Sequence, residues 1–239
     1  CEQNTKFSFV KNKNYRNIYP VLKSLREELS LEKDIRVIES YDISHHSGSA
    51  AIGGCVVFTK EGKLKDKYKL FNISKENSGD DISSMVEIIE RRFIAKDLDI
   101  NDQKSSLIII DGGEVHLSHV LNKLKELGLY EIPVIAISKG TRRKADMDLI
   151  HTKDGSSSIT RGSVAHKFIQ EIRDETHRFS ITQQKKKQRK ISVSSVLDNL
   201  KGVGPKRKKM LIRYFGSVEQ IKRASYQDIM NIPGLGKKT

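Results

Sequence analysis

The amino-acid sequence predicts a mixed α/β fold, a five-stranded sheet with flanking helices, followed by a small all-α domain. Three observations carry this reading. Between residues 35 and 138, short apolar runs alternate first with turns and then with amphipathic stretches at helical spacing. Beyond residue 183 the apolar content thins and cations crowd together. Two Gly-x-Gly turns, Gly202-Val203-Gly204 and Gly234-Leu235-Gly236, punctuate that basic tail.

Residues 1–34 open with a polar stretch, then place Val21, Leu22, Leu25 and Leu29 at helical spacing, so they read as a leader carrying one helix. IRVIESYDIS, from Ile35, is rich in β-branched and aromatic residues and predicts the first strand. AAIGGCVVF is a second strand, and DKYKLFNI a third beyond a turn containing Gly62; three strands on short connections make an antiparallel meander. Asp80 is a good N-cap for a helix with Ile82, Met85, Val86, Ile89 and Phe93 on one stripe. LIIID, Leu107–Asp111, is a continuous apolar run of the kind a buried parallel strand needs. A leucine-striped helix follows Gly112-Gly113 and stops at Gly128; PVIAIS is the next buried strand. Residues 139–160 read as a basic loop and a weak hairpin, and Ser163–Ser180 as the last long helix. The order β-β-β-α-β-α-β-α is the RNase H-like arrangement, here over 35–182. Residues 183–195 have no apolar period and read as a basic linker. Residues 196–239 read as paired helical hairpins, the second cut short.

The formal charge is +14, and Lys185–Thr239 alone carry 15 Lys and Arg against 3 acids. Such cation density attracts polyphosphate through counterion release. A solvated basic linker, or an acidic lipid or protein partner, would show the same charge run. The hairpins separate these readings, because a Gly-x-Gly turn lets backbone N–H groups approach a phosphate closely. Gly202, Gly204, Lys206 and Arg207 form one candidate DNA-binding turn, and Gly234, Gly236 and Lys237 the other. Cys1 and Cys55 are too few for a disulfide framework, and no apolar run is long enough to span a bilayer. With no membrane segment and a first residue that is not Met, the chain is expected to be a cytoplasmic fragment of a longer, reduced protein.

Asp42 lies inside the first predicted strand, where an acid must be paired, hydrogen-bonded or metal-bound. Asp111 ends the LIIID strand, where open α/β sheets place their ligand sites. If the two strands are neighbours the carboxylates converge, and an oxygen-rich site of that kind suits Mg²⁺ or Mn²⁺. Each acid alone reads better as a strand-end carboxylate bonded to the next turn; the pair in this fold order reverses that preference. His177 falls nearly opposite the apolar centre of its helix, on a ridge with His166, Gln170 and Arg173, so it faces either water or a cleft. Asp81 reads as a first-turn acid. Lys139, Arg142 and Arg143 lie on the basic loop at the Asp111 end of the sheet, as a phosphate clamp or a solvated loop.

The strings IESYDISHHSG, LIIIDGGEVHL, SKGTRRKA, IQEIRDETHRF, LKGVGPKRKKML and IPGLGKK, in that order, resemble the C-terminal half of the UvrC family, nuclease subunits of bacterial nucleotide excision repair. The resemblance implies an endonuclease that cuts 5′ to a DNA lesion, with tandem helix-hairpin-helix motifs that bind DNA. It implies that Asp42, Asp111 and His177 are catalytic and hold the metal, with Thr176 where the family has serine, and that Asp81 is a further functional acid. Damaged double-stranded DNA, and a UvrB–DNA complex, are the partners it implies. Two other classes stay open on the residues alone: a DNA-binding module with a degenerate nuclease fold, and another RNase H-like enzyme such as a junction resolvase.

Overall fold

The computed structural model describes residues 17–46, 49–74, 76–94, 106–138, 148–156, 159–198, 203–216 and 218–234. The chain forms two compact units that divide between Ser180 and Ile181.

The first unit is built on one sheet. Strands β1 (Val37–His46) and β2 (Ser49–Thr59) pair antiparallel, with Asp42 opposite Gly54. The short β3 (Gly62–Lys63) and β4 (Lys69–Asn72) both pair with β2, completing the expected meander. Strand β5 (Leu107–Asp111) lies parallel to β1, with Tyr41 beside Ile110, and β6 (Val134–Ser138) lies parallel to β5. The hairpin of β7 (Leu149–Thr152) and β8 (Gly155–Ser156) then adds antiparallel to β6. The described sheet thus has eight strands in place of the five expected, in the order β3-β2-β1-β5-β6-β7-β8 with β4 also on β2. The three additions are short, two to four residues each.

Strand periodicity sorts the side chains onto two faces. Val37, Tyr41, Ile108 and Ile110 join Met85, Ile88 and Ile89 of α2 (Asp81–Ile94) and Leu117, Val120 and Leu124 of α3 (Glu114–Glu126). Ile38, Leu107, Ile109, Ile135 and Ile137 face the other way. They pack on Leu22 and Leu25 of α1 (Tyr19–Glu28) and on Ala165, Phe168, Ile169 and Ile172 of α4 (Val164–Asp198). One polar group is sealed under α2: Glu39, 1% exposed, accepts from Arg92 and from the Tyr41 hydroxyl. Two glycines of β2 let the helices close on the sheet. A Cβ at Gly53 would meet Ile88 at 2.8 Å, and one at Gly54 would meet the Ser180 hydroxyl at 2.2 Å.

Helix α4 runs from Val164 to Asp198. The residues expected as a basic linker, 183–195, are helical throughout. Gln, Lys and Arg are good helix formers, and a helix already nucleated extends through them without a new nucleation cost. In the second unit, α5 (Pro205–Phe215), α6 (Val218–Arg223) and α7 (Tyr226–Met230) enclose a small core of Leu211, Ile221 and Ile232. Gly204 caps the start of α5 in extended conformation, and Gly216, at φ 76°, ends it. Ser225 and Asp228 form a reciprocal capping box on α7. Among the described residues no helix is long and apolar enough to cross a membrane.

Candidate active site

Ile38, Ser40 and Asp42 alternate onto the α4 face of β1, and Leu107, Ile109 and Asp111 onto the α4 face of β5. Because the strands are parallel neighbours in the register Tyr41–Ile110, the next pair along is Asp42 and Asp111. The two carboxylates stand side by side at the C-terminal end of β5, as the sequence suggests. His177 of α4 completes the group: one ligand atom from each of Asp42, Asp111 and His177 lies within 4.8 Å of the others. Nδ1 of His177 is 3.4 Å from Oδ2 of Asp42. His177 thus stands beside the two acids with its side chain 52% exposed. His166, expected on the same polar ridge, is instead buried at 4%. It receives the Gly162 N–H at the start of α4, so the polar ridge is not one continuous surface.

The electrostatics follow from burial. The Asp42 side chain is 4% exposed, and its Oδ2 is buried with no hydrogen-bond partner. Asp111 has its pKa pushed up to about 6, by burial first and by the adjacent Asp42 charge second; Arg173 and His177 pull the other way. Two acids are crowded into a partly dry site, and one of them keeps a buried oxygen without a hydrogen bond. An O, O, N donor set of this kind fits a divalent cation with a preference for oxygen.

The turn of α4 that carries His177 is fixed from several sides. Thr176 donates its hydroxyl to the Ile172 carbonyl at 2.7 Å and lies 2.9 Å from the Ser40 hydroxyl on β1. Glu175, buried, accepts from Tyr68 at 3.1 Å and pairs with Lys63 and Arg178. Arg173 pairs with Asp148, just ahead of β7. Sequence reasoning listed Arg173 only on a polar ridge and passed over Asp148. Its place one helical turn before His177 was the available signal.

Asp81 does not join the three-residue group among the described residues. Its carboxylate pairs with the Nε2 of His45 near the far end of β1, at the irregularity between Ser44 and His46. Asp80 caps α2, accepting from the Ile82 and Ser83 N–H groups at 3.0 and 3.2 Å; the Ser83 hydroxyl first, and then those N–H groups, hold its pKa down. Lys206 and Arg207 lie in the first turn of α5, directly behind Gly204. Gly234 has φ 89°, a conformation that suits glycine. Lys139, Arg142, Arg143, Gly202, Gly236 and Lys237 lie outside the described residues.

Residues 26–181 match the UvrC RNAse H endonuclease domain, and residues 194–239 match a SAM-like helix-hairpin-helix tandem. The UvrABC system protein C of Saccharophagus degradans is 36% identical over 226 residues, which cover 94% of this chain and 37% of that protein. The protein of the same name from Pseudomonas fluorescens is 37% identical over 227 residues, with the same coverage. The chain thus spans little more than a third of the length of these relatives. Among solved structures, endonuclease V of Ciona intestinalis in complex with inosine-containing DNA aligns at 15% identity and TM-score 0.33, over 52% of this chain and 57% of that one. Two domain matches in sequence, and an Asp-Asp-His centre where the family motifs fall, make the chain a member of the UvrC family, carrying its RNase H endonuclease domain followed by its helix-hairpin-helix region.

Proposed function

We propose that this chain makes the incision 5′ to a lesion in bacterial nucleotide excision repair, as a cytoplasmic, divalent-metal-dependent endonuclease acting on damaged duplex DNA. The observation that carries the reading is the convergence of Asp42, Asp111 and His177 in a matched endonuclease domain. Asp42, Asp111 and His177 would hold Mg²⁺ or Mn²⁺. Such an ion supplies Lewis-acid polarisation of a phosphoryl oxygen and a nucleophile at neutral pH.

The protein's own groups divide the remaining work. Asp42, fixed in a central strand, presents an uncommitted oxygen from a dry floor. Asp111 must give up its proton to act as a donor, and Arg173 favours that loss. Nδ1 of His177, at the rim, either joins the donor set or takes the proton of the attacking water. Lys206 and Arg207 at the start of α5, with the Gly204 turn, neutralise DNA phosphates at a second point. Lys139, Arg142 and Arg143 do so near the cut, and Asp81 acts in support through His45. The duplex arrives as a UvrB–DNA complex.

The test is nicking of a pre-nicked lesion duplex with and without Mg²⁺, using the wild-type chain and Asp42→Ala. Metal-dependent nicking by the wild type, and binding without nicking by the variant, is the expected result. Equal nicking by both proteins overturns the reading.

A further inference from the structure

Arg173 and Asp148 form an ion pair in which both side chains are largely withdrawn from water, 15% and 3% exposed. Arg173 is one helical turn before His177, and Asp148 immediately precedes β7, which pairs with β6, the strand beside β5 and Asp111. The pair therefore joins the histidine-bearing turn to the β6–β7 side of the sheet, while the Thr176 and Ser40 hydroxyls join the same turn to β1. His177 is held between these two anchors, at i−4 and i−1.

We infer that Arg173 and Asp148 are positioning residues for the Asp42–Asp111–His177 donor set. Three geometric points support this. The His177 side chain is half exposed and stands at the edge of the group, so its approach to Asp42 follows the placement of α4. Rotation or slippage of α4 by a small fraction of a turn would carry Nδ1 beyond its 3.4 Å separation from Asp42. A buried ion pair is weak as a source of net stability, because desolvation offsets its attraction, but losing one partner strands the other charge, so the two elements it joins stay together. Residues that orient ligands from outside the donor set commonly set metal affinity by ~10–100-fold.

This inference rests on the metal-centre reading above, and the experiment separates the two. Mn²⁺ binding is measured by calorimetry on the 239-residue chain, beside nicking kinetics, for four proteins. They are the wild type, Arg173→Met/Asp148→Leu, Asp148→Asn and Arg173→Lys. The double variant replaces the pair with apolar groups of similar bulk, a change that buried pairs tolerate. Asp148→Asn keeps the shape and an acceptor, so a folded protein is compared even if the double variant does not fold.

The expected result is Mn²⁺ affinity at least about tenfold weaker in the double variant and about threefold weaker in Asp148→Asn. The KM for DNA should be unchanged, with circular dichroism like the wild type, and Arg173→Lys, which keeps the pair, should recover most of the loss. Folded variants that bind Mn²⁺ as tightly as the wild type, with the same kcat, overturn the inference while leaving the metal centre intact. A wild type that binds no Mn²⁺ overturns both.

Discussion

Oδ2 of Asp42 lies 3.4 Å from Nδ1 of His177, the first almost wholly buried and the second half exposed. The contact joins a central strand to a helix 135 positions later in the chain. It gives the donor set a floor and a rim: the strand carboxylates are fixed from below by the sheet, and the imidazole stands at the opening.

The raised proton affinity of Asp111 has a consequence for stability. Its pKa is about 6 in the folded chain against an ordinary 3.8, so the folded state binds more protons than the unfolded state between those values. The contribution to stability is fully present below pH 3.8 and is lost as pH rises through 6. Asp111→Asn should therefore stabilise the metal-free protein at pH 7, by on the order of 1–3 kcal/mol, with the gain shrinking toward pH 4. Millimolar Mg²⁺ should raise the wild-type Tm at pH 7, more than at pH 5, and leave Asp111→Asn unmoved. Thermal melts across that pH range check both parts. An Asp111→Asn protein no more stable than the wild type at pH 7 would remove the crowded-acid account.

Gly54 is the cross-strand partner of Asp42, on the strand beside it. A methyl group there would lie 2.2 Å from the buried Ser180 hydroxyl and 3.2 Å from the Phe179 ring, both on α4 just past His177. Something must move, and the helix is more easily shifted than the sheet. Gly54→Ala is expected to cost about 1–3 kcal/mol, the usual penalty of overpacking. It should lower nicking by more than the loss of folded protein explains, because the displaced turn carries His177. Gly53→Ala is the control: it presses on Ile88 of α2, on the opposite face. It should destabilise the fold while sparing the rate per folded molecule. Denaturant melts with active-site titration separate the two effects.

Much of this centre was legible in the residues. The apolar runs gave the parallel pair of strands, and period two then puts Asp42 and Asp111 on one face. His177 was not legible from the helical wheel, because the wheel was centred on apolar residues. The α4 stripe that meets the sheet changes character past Ile172, continuing through Thr176 and Ser180, both buried. That rotates the true contact line toward His177. The helix through 183–195 was missed for a related reason. Hydrophobic periodicity reports burial, and a solvated run of Gln, Lys and Arg can be helical without any. The β7–β8 hairpin shows the limit of short strands: four residues and two carry too little pattern to reveal that they extend the sheet.

The basic tail makes its own prediction, distinct from the chemistry. Lys206 and Arg207 sit in the first turn of α5 behind the Gly204 cap, where backbone N–H groups, the helix dipole and two cations favour the same anion. If each cation neutralises one phosphate, Lys206→Ala/Arg207→Ala should flatten the plot of log affinity against log salt by ~1.8, from a slope of about −0.9 per contact. Affinity should fall steeply at 200 mM salt and much less at 50 mM. Because these residues lie outside the donor set, the single-turnover rate on saturating DNA at low salt should match the wild type. Filter binding or anisotropy over that salt range measures the slope. A double variant with the wild-type slope would place the DNA contact elsewhere in the second unit.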